Sequence, residues 1–318
     1  MVECQILSGS SNPAVGGVFE RPAEKYPRVF GYQVFRDYPY LLPGLIISVF
    51  TLSGAITTLL FVKEVRSRIC ESTFAANSHQ TLHIHKSNMK SSEPPMTMWQ
   101  LIKSPGVARV VLIFQYIGVL AFTFTAVNPV FLYTPVHLGG LEFSPGTIAA
   151  VIGFSGASQA AWLLLVFPRL HKRIGTGQIL RLAAWTWPVF FAINPCFNIL
   201  FRYGQRAVFW TIAPPTLALG SGVAMAFTAV QLAINDIAPS HETFGTLNAI
   251  TLALSSGTRA VAPALATSVY AIGVKYHILG GHLFWLSNTM FAFGLVFLLR
   301  LLPEKAEGRP QKVEELSE

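Results

Sequence analysis

Seven long apolar segments alternate with polar stretches along this chain: Leu41–Val62, Val107–Tyr133, Pro145–Phe167, Ile179–Leu200, Ala207–Ile234, Phe244–Gly273 and His282–Leu302. Each reaches or exceeds the ~20 residues that a helix needs to cross a bilayer. A soluble core cannot hide that much continuous apolar surface, and a bilayer admits only helices or closed barrels. The pattern therefore predicts an all-α integral membrane protein. The polar stretches are short except for Lys63–Pro105, which is rich in Ser, Asn and His and contains Pro94-Pro95. That stretch reads as a linker between two parts of the molecule. Near its end, Met98–Lys103 carries Trp99, Leu101 and Ile102 and predicts a short interfacial helix. After Pro303 the chain becomes charged and reads as a disordered tail.

Composition agrees with the pattern. Of 318 residues, 52% are hydrophobic and 12% charged, against about 25% charged in an average soluble domain. The formal charge of +8 marks loop topology here, because no compact basic stripe with interleaved aromatics exists to hold a nucleic acid. Lys and Arg set the orientation of membrane proteins. Fifteen of them fall in Lys63–Arg109, Arg169–Arg181 and Arg300–Lys312. Seven fall in the first forty residues and in the turns at Arg202–Arg206 and Lys275, and the one left over, Arg259, lies deep inside a span. This asymmetry predicts a cytoplasmic linker and C-terminus. Cys4, Cys70 and Cys196 are too dispersed for a disulfide framework or a zinc spacing. His79, His83 and His85 form an H-x-x-x-H-x-H run, but without Cys or carboxylate companions it reads as solvated loop, and no metal or other cofactor is expected. No phosphate-binding glycine loop, His-Glu-x-x-His or mid-depth nucleophile–base–acid set occurs, so the chain does not read as an enzyme.

Polar groups at mid-depth are costly unless they face a partner or a cavity. Arg259, near the middle of Phe244–Gly273, is the strongest such signal. Asn248, Ser255 and Arg259 lie within roughly 20° of one helical face, and that face can present a guanidinium to an anionic group or to a coupling partner. The opposing stripe of Gly245, Ala249, Ala253 and Gly257 predicts close helix packing. Further candidates for substrate contact or coupling are Ser155 with Gln159, Thr228 with Gln231, Asn194 and Gln115. For each of these, a helix–helix hydrogen bond is the alternative reading. Ser144-Pro145 has the form of a helix start, with an N-cap hydroxyl followed by proline at the first helical position.

Several local motifs carry a family resemblance. Asn12-Pro13-Ala14-Val15-Gly16-Gly17 resembles the Gly-Pro-x-x-Gly-Gly motif in the fifth helix of major facilitator superfamily antiporters, with Asn12 in place of the first glycine. Arg21–Pro27 and Tyr38–Pro43 resemble the following outer loop and sixth helix in the zinc-induced-facilitator-like and drug:proton antiporter branch. Tyr133–Leu141 and Phe143-Ser144-Pro145 resemble its stretch between helices seven and eight. Phe167–Gly175 occupies the place of the repeated cytoplasmic Gly-x-x-x-Asp-Arg-x-Gly motif. Arg173 and Gly175 match it, whereas Pro168 replaces the first Gly and Lys172 the Asp. The resemblance implies gating roles for Arg173 and Gly175.

The resemblance implies a C-terminal six-helix bundle of a major facilitator fold plus one preceding helix, without the family's first four helices. The expected parts are a remnant of the fifth helix and outer loop (1–40), a transmembrane helix (41–62), a cytoplasmic central loop (63–105), the six-helix half (106–303) and a cytoplasmic tail (304–318). The implied activity is proton-coupled transport of a small molecule across a plasma or vacuolar membrane. Its partners are then the substrate, protons, the lipid bilayer and a complementary N-terminal half. Two alternatives stand beside it, an inactive fragment or membrane interaction protein, and a seven-span receptor. The receptor reading has against it the Phe167-Pro168-Arg169 end of the third span and the lack of Asn-Pro-x-x-Tyr in the last.

Overall fold

The computed structural model describes Ala23, Phe30 and residues 32–38, 41–61, 98–239 and 241–308. The segment at 12–17, the three linker histidines and the last ten residues lie outside these. The chain divides into two compact units. In the smaller, α1 (Gln33–Asp37) precedes α2 (Leu41–Phe61), a 21-residue apolar helix on which Leu45, Val49, Leu52 and Ile56 are exposed.

The larger unit begins with the short helix α3 (Met98–Lys103), which buries Leu101 and exposes Trp99. A left-handed Gly106 then starts α4 (Val107–Tyr133). The next helix, α5 (Pro145–Ala161), opens as its sequence predicts: Ser144 Oγ accepts from the Thr147 backbone N–H at 3.3 Å, and Pro145 occupies the first turn. One π turn at Trp162–Val166 carries α5 into α6 (Phe167–Arg202), so the helix continues past the span end expected at Phe167. The reversal comes instead at Gly175, with φ 76° and ψ 172°. This conformation is essentially confined to glycine.

The following helix, α7 (Arg206–Gly220), tightens into a 3-10 turn at Ser221–Ala224 before α8 (Met225–Ile237). Small residues make that turn possible. A Cβ on Gly220 would enter the Phe190 ring, and one on Gly222 would lie 3.2 Å from the Trp162 indole. The last two helices are α9 (His241–Lys275) and α10 (Leu283–Leu298).

Among the described residues, four stretches are long and apolar enough to cross a membrane: Val107–Tyr133, Pro145–Arg202, Arg206–Ile237 and Leu283–Leu301. The second holds two crossings, because Gly175 folds it back on itself. The 35 residues of α9 have the length, but polar side chains including Asn248, Ser255 and Arg259 dilute its hydropathy.

Contacts at the two ends establish an up–down arrangement. At one end Arg202 donates to the carbonyls of Val136, His137 and Gly280, the last at 2.8 Å, while Asn198 Nδ2 donates to Val136 O at 3.0 Å. At the other end Gly106 lies against Pro303 and Ile237, and Gly177 N–H donates to Glu307 O at 2.9 Å. Within this unit, Arg202 thus lies at one end of the bundle and Arg181, the partner of Glu307, at the other. Between the ends, aromatic rings interlock around the fully buried Trp285, which meets Phe131 at 4.9 Å and Phe284 at 5.2 Å. In a bilayer such packing and interhelical hydrogen bonds hold helices together, since lipid tails are as apolar as the core.

Two expectations are corrected. Residues 304–308, at the start of the expected tail, do not dangle from the bundle. Residues 304–306 form a 3-10 turn, Ala306 and Glu307 are buried, and Arg181 Nη2 meets Glu307 Oε1 at 2.5 Å. Its charges had suggested a solvated tail, whereas one carboxylate is paired and the backbone fits the glycine-lined groove at Gly175 and Gly177. Arg181→Ala should lower stability by about 1 kcal/mol, a modest value because half the pair is in water. A thermal midpoint reduced by about 2–4 °C in detergent checks this. The second correction concerns the stripe of Gly245, Ala249, Ala253 and Gly257. All four are exposed, and a Cβ on Gly245 or Gly257 would have nothing within 4 Å among the described residues. The stripe packs against no helix of this bundle.

Candidate functional site

Arg259 faces a cavity of about 270 Å³ formed by α4, α5, α6, α7, the 3-10 turn, α8 and α9. Its guanidinium carbon stands 4.9 Å from the centre of the Phe122 ring, in cation–π geometry. Ser155 and Gln159, four residues apart on α5, supply polar groups to the same wall, and Ser221 adds a hydroxyl from the 3-10 turn. Phe124, Phe190, Phe227 and Trp187 complete an aromatic lining. The arrangement offers a cation, an amide and three hydroxyls (Thr125, Ser155 and Ser221) on a largely apolar surface.

Among the described residues of the bundle, no carboxylate shares that depth. Between Val107 and Leu302 the acidic residues are Glu142, Asp236 and Glu242, which fall in the 134–144 connection, at the end of α8 and at the start of α9. Among the described residues Arg259 makes no ion pair, and its side chain is exposed to the cavity mouth. A cation within the bundle and without a counter-ion among the described residues favours an anionic visitor.

The other candidates go elsewhere. Gln231 Nε2 donates to Asn248 Oδ1 at 3.4 Å, joining α8 to α9. Thr228 is half-buried on the same helix as Gln231. Gln115 bridges α4 and α9, accepting from Thr258 Oγ1 at 2.9 Å and donating to Thr251 O at 3.4 Å. These contacts are of the helix-to-helix kind given as the alternative reading for Gln115 and Gln231, and Asn248 enters as the partner of Gln231. Ser255 is half-buried and does not line the cavity. Asn194 is buried on α6, donates to Phe190 O at 3.0 Å and lines a second cavity. Arg173 is exposed, whereas Gly175 is buried at the reversal. Among the described residues no group of three metal-ligating side chains comes together.

The aromatic walls and Ser221 were not singled out in the sequence. Ser221 sits in the small run Gly220-Ser221-Gly222, and that run is the signal for the tight turn that places its hydroxyl.

Comparison with known proteins bears on the same bundle. No family model matches the chain, and no solved structure does. The efflux pump azaK of Aspergillus niger is 40% identical over 301 residues, which cover 95% of this chain and 59% of that protein. The major facilitator-type transporter psiT2 of Psilocybe cubensis is 26% identical over 311 residues, covering 88% and 59%. Protein zinc induced facilitator-like 1 of Arabidopsis thaliana is 23% identical over 316 residues, covering 91% and 60%. The chain thus spans about three-fifths of the length of these relatives. They are named as transporters, pumps and facilitators, not as enzymes. The chain is a multi-pass, all-α membrane protein homologous to transporters of the major facilitator superfamily.

Proposed function

We propose that the chain takes part in proton-coupled transport of a small molecule and that the Arg259 cavity is its substrate site. The observation that carries this reading is a cation at mid-bundle, in an aromatic cavity, with no carboxylate at its depth among the described residues. Transporters of this type hold substrate at the membrane midplane between two bundles that rock against each other. The exposed stripe on α9 supports the same picture, because small residues suit the close approach of a second bundle. That bundle would supply the far wall of the cavity and the acidic groups for proton coupling. The relatives favour the zinc-induced-facilitator-like and drug:proton antiporter branch. Arg173 and Gly175, at the inner end, are proposed to act in gating.

Flux in proteoliposomes tests the proposal. The chain, reconstituted with the N-terminal half of the Aspergillus niger pump, should move carboxyfluorescein, an aromatic anion, down an imposed proton gradient. An uncoupler should abolish the movement. Without the complementary half the chain should move none. Dye movement that ignores the uncoupler removes proton coupling. No movement in either arrangement favours an interaction role without transport.

A further inference from the structure

A second cavity, of about 240 Å³, lies toward the end of the bundle held by Arg202. It is bounded by the end of α4, the start of α5, and parts of α6 and α7. Leu217 is the one lining residue it shares with the Arg259 cavity. The two differ in chemistry. No charged side chain lines the second cavity, and its wall is a box of rings. Phe143 and Trp210 stack at 5.7 Å and 13°, Phe209 meets Trp210 edge-on at 5.2 Å, and Phe197 meets Phe209 edge-on at 5.2 Å.

Two amides interrupt this apolar wall. Asn194 is only 6% exposed. Its Nδ2 is bound to Phe190 O at 3.0 Å, while its Oδ1 accepts from no described donor. Asn128 also lines the cavity and has no hydrogen bond among the described residues. The Asn194 amide lines the cavity, where an oxygen without a donor is poorly solvated by the apolar wall, and a ligand carrying a hydroxyl or N–H would satisfy it.

We infer that this cavity is a second binding site, which takes a small, flat, uncharged aromatic molecule bearing one hydrogen-bond donor. Ring walls offer offset-stacked and edge-on partners to a flat π system. The lack of any charge selects against ions, which would lose their hydration without compensation. An acyl chain would fill the volume but leave Asn194 Oδ1 and Asn128 unsatisfied. The volume lies below the usual range of drug-sized sites, about 300–1,000 Å³, and so suits a molecule of about two fused rings. This inference is independent of whether the Arg259 cavity transports anything, because its test reads equilibrium binding.

Tritiated naphthol is dialysed against the full chain in lipid nanodiscs, with empty nanodiscs as the partition blank. Naphthalenesulfonate provides the same rings with a fixed negative charge. Naphthol should bind saturably above the blank. Ala150→Trp places a ring over the mouth from an exposed position that tolerates the bulk. Asn194→Leu removes the acceptor at similar size. Each should weaken naphthol binding about tenfold or more, while Arg259→Ala leaves it unchanged. Naphthalenesulfonate should show the opposite dependence. Naphthol binding equal to the blank overturns the inference. So does naphthol binding that survives both Ala150→Trp and Asn194→Leu but falls with Arg259→Ala. Displacement of naphthol by a single-chain lysolipid assigns the cavity to acyl chains and also overturns it.

Discussion

Arg259→Ala is expected to abolish uncoupler-sensitive flux while the protein still inserts and accumulates normally. The side chain touches the Phe122 face and cavity space, and no described carboxylate depends on it. Removing it therefore breaks no ion pair within the bundle and should cost little stability. Loss of a close charge partner for an anion costs about 1.5 kcal/mol or more, roughly tenfold and upward in affinity. Arg259→Lys discriminates further. A lysine keeps the charge but loses the planar fork and its stacking over Phe122. Partial flux with lysine means charge suffices, and near-complete loss means the bidentate geometry matters. Flux and thermal midpoint are measured on the same preparations. Unchanged flux in Arg259→Ala removes the residue from the site, and a collapsed midpoint with proportionate loss of flux makes it structural.

A large loss of stability is expected at Gly175. Gly175→Ala forces a side chain onto a backbone with φ 76° and ψ 172° and places a Cβ 2.6 Å from Gly308 O. The backbone term alone costs about 1–3 kcal/mol, and the closing segment at 304–308 must also be displaced. Gly204→Ala is the control. Gly204 has φ 70°, but its Cβ would meet nothing within 4 Å. A thermal midpoint that falls far more for Gly175→Ala than for Gly204→Ala locates the penalty in the closing segment. Equal falls attribute it to backbone strain alone.

The motif match at Gly175 in the sequence had suggested gating, and its conformation supplies a structural reason for glycine there as well. Other features were legible because they depend on local chemistry. Ser144-Pro145 caps α5 as its side chains dictate, and the bounds of α4 follow its apolar run. Arg259 was conspicuous because a charge within an apolar span is expensive. Ser155 and Gln159 reach its cavity because a four-residue spacing keeps them on one face.

Asn248 shows where helical phase stops being sufficient. It shares a face with Arg259, but eleven residues of rise separate them by about 16 Å along the axis. It therefore meets Gln231 and not the cavity. The aromatic walls were hidden because 24 phenylalanines in an apolar chain carry no pattern that marks a lining ring. Glu307 was hidden because its partner Arg181 is 126 residues away in sequence, and a charged stretch viewed alone resembles any solvated tail.

The π turn at Trp162–Val166 has a genetic consequence. A π turn accommodates one residue more than the α-helix around it. Losing one codon between Leu163 and Leu165 would yield a continuous α-helix of the same apolar character. It would also rotate Ser155 and Gln159 by about 100° about the helix axis relative to everything after the turn. Helix content and insertion would be preserved, yet the amide and hydroxyl would leave the arginine's side of the cavity. Single-residue deletions at this turn are thus a route to altered contacts in the Arg259 cavity in which no residue of the lining is itself replaced.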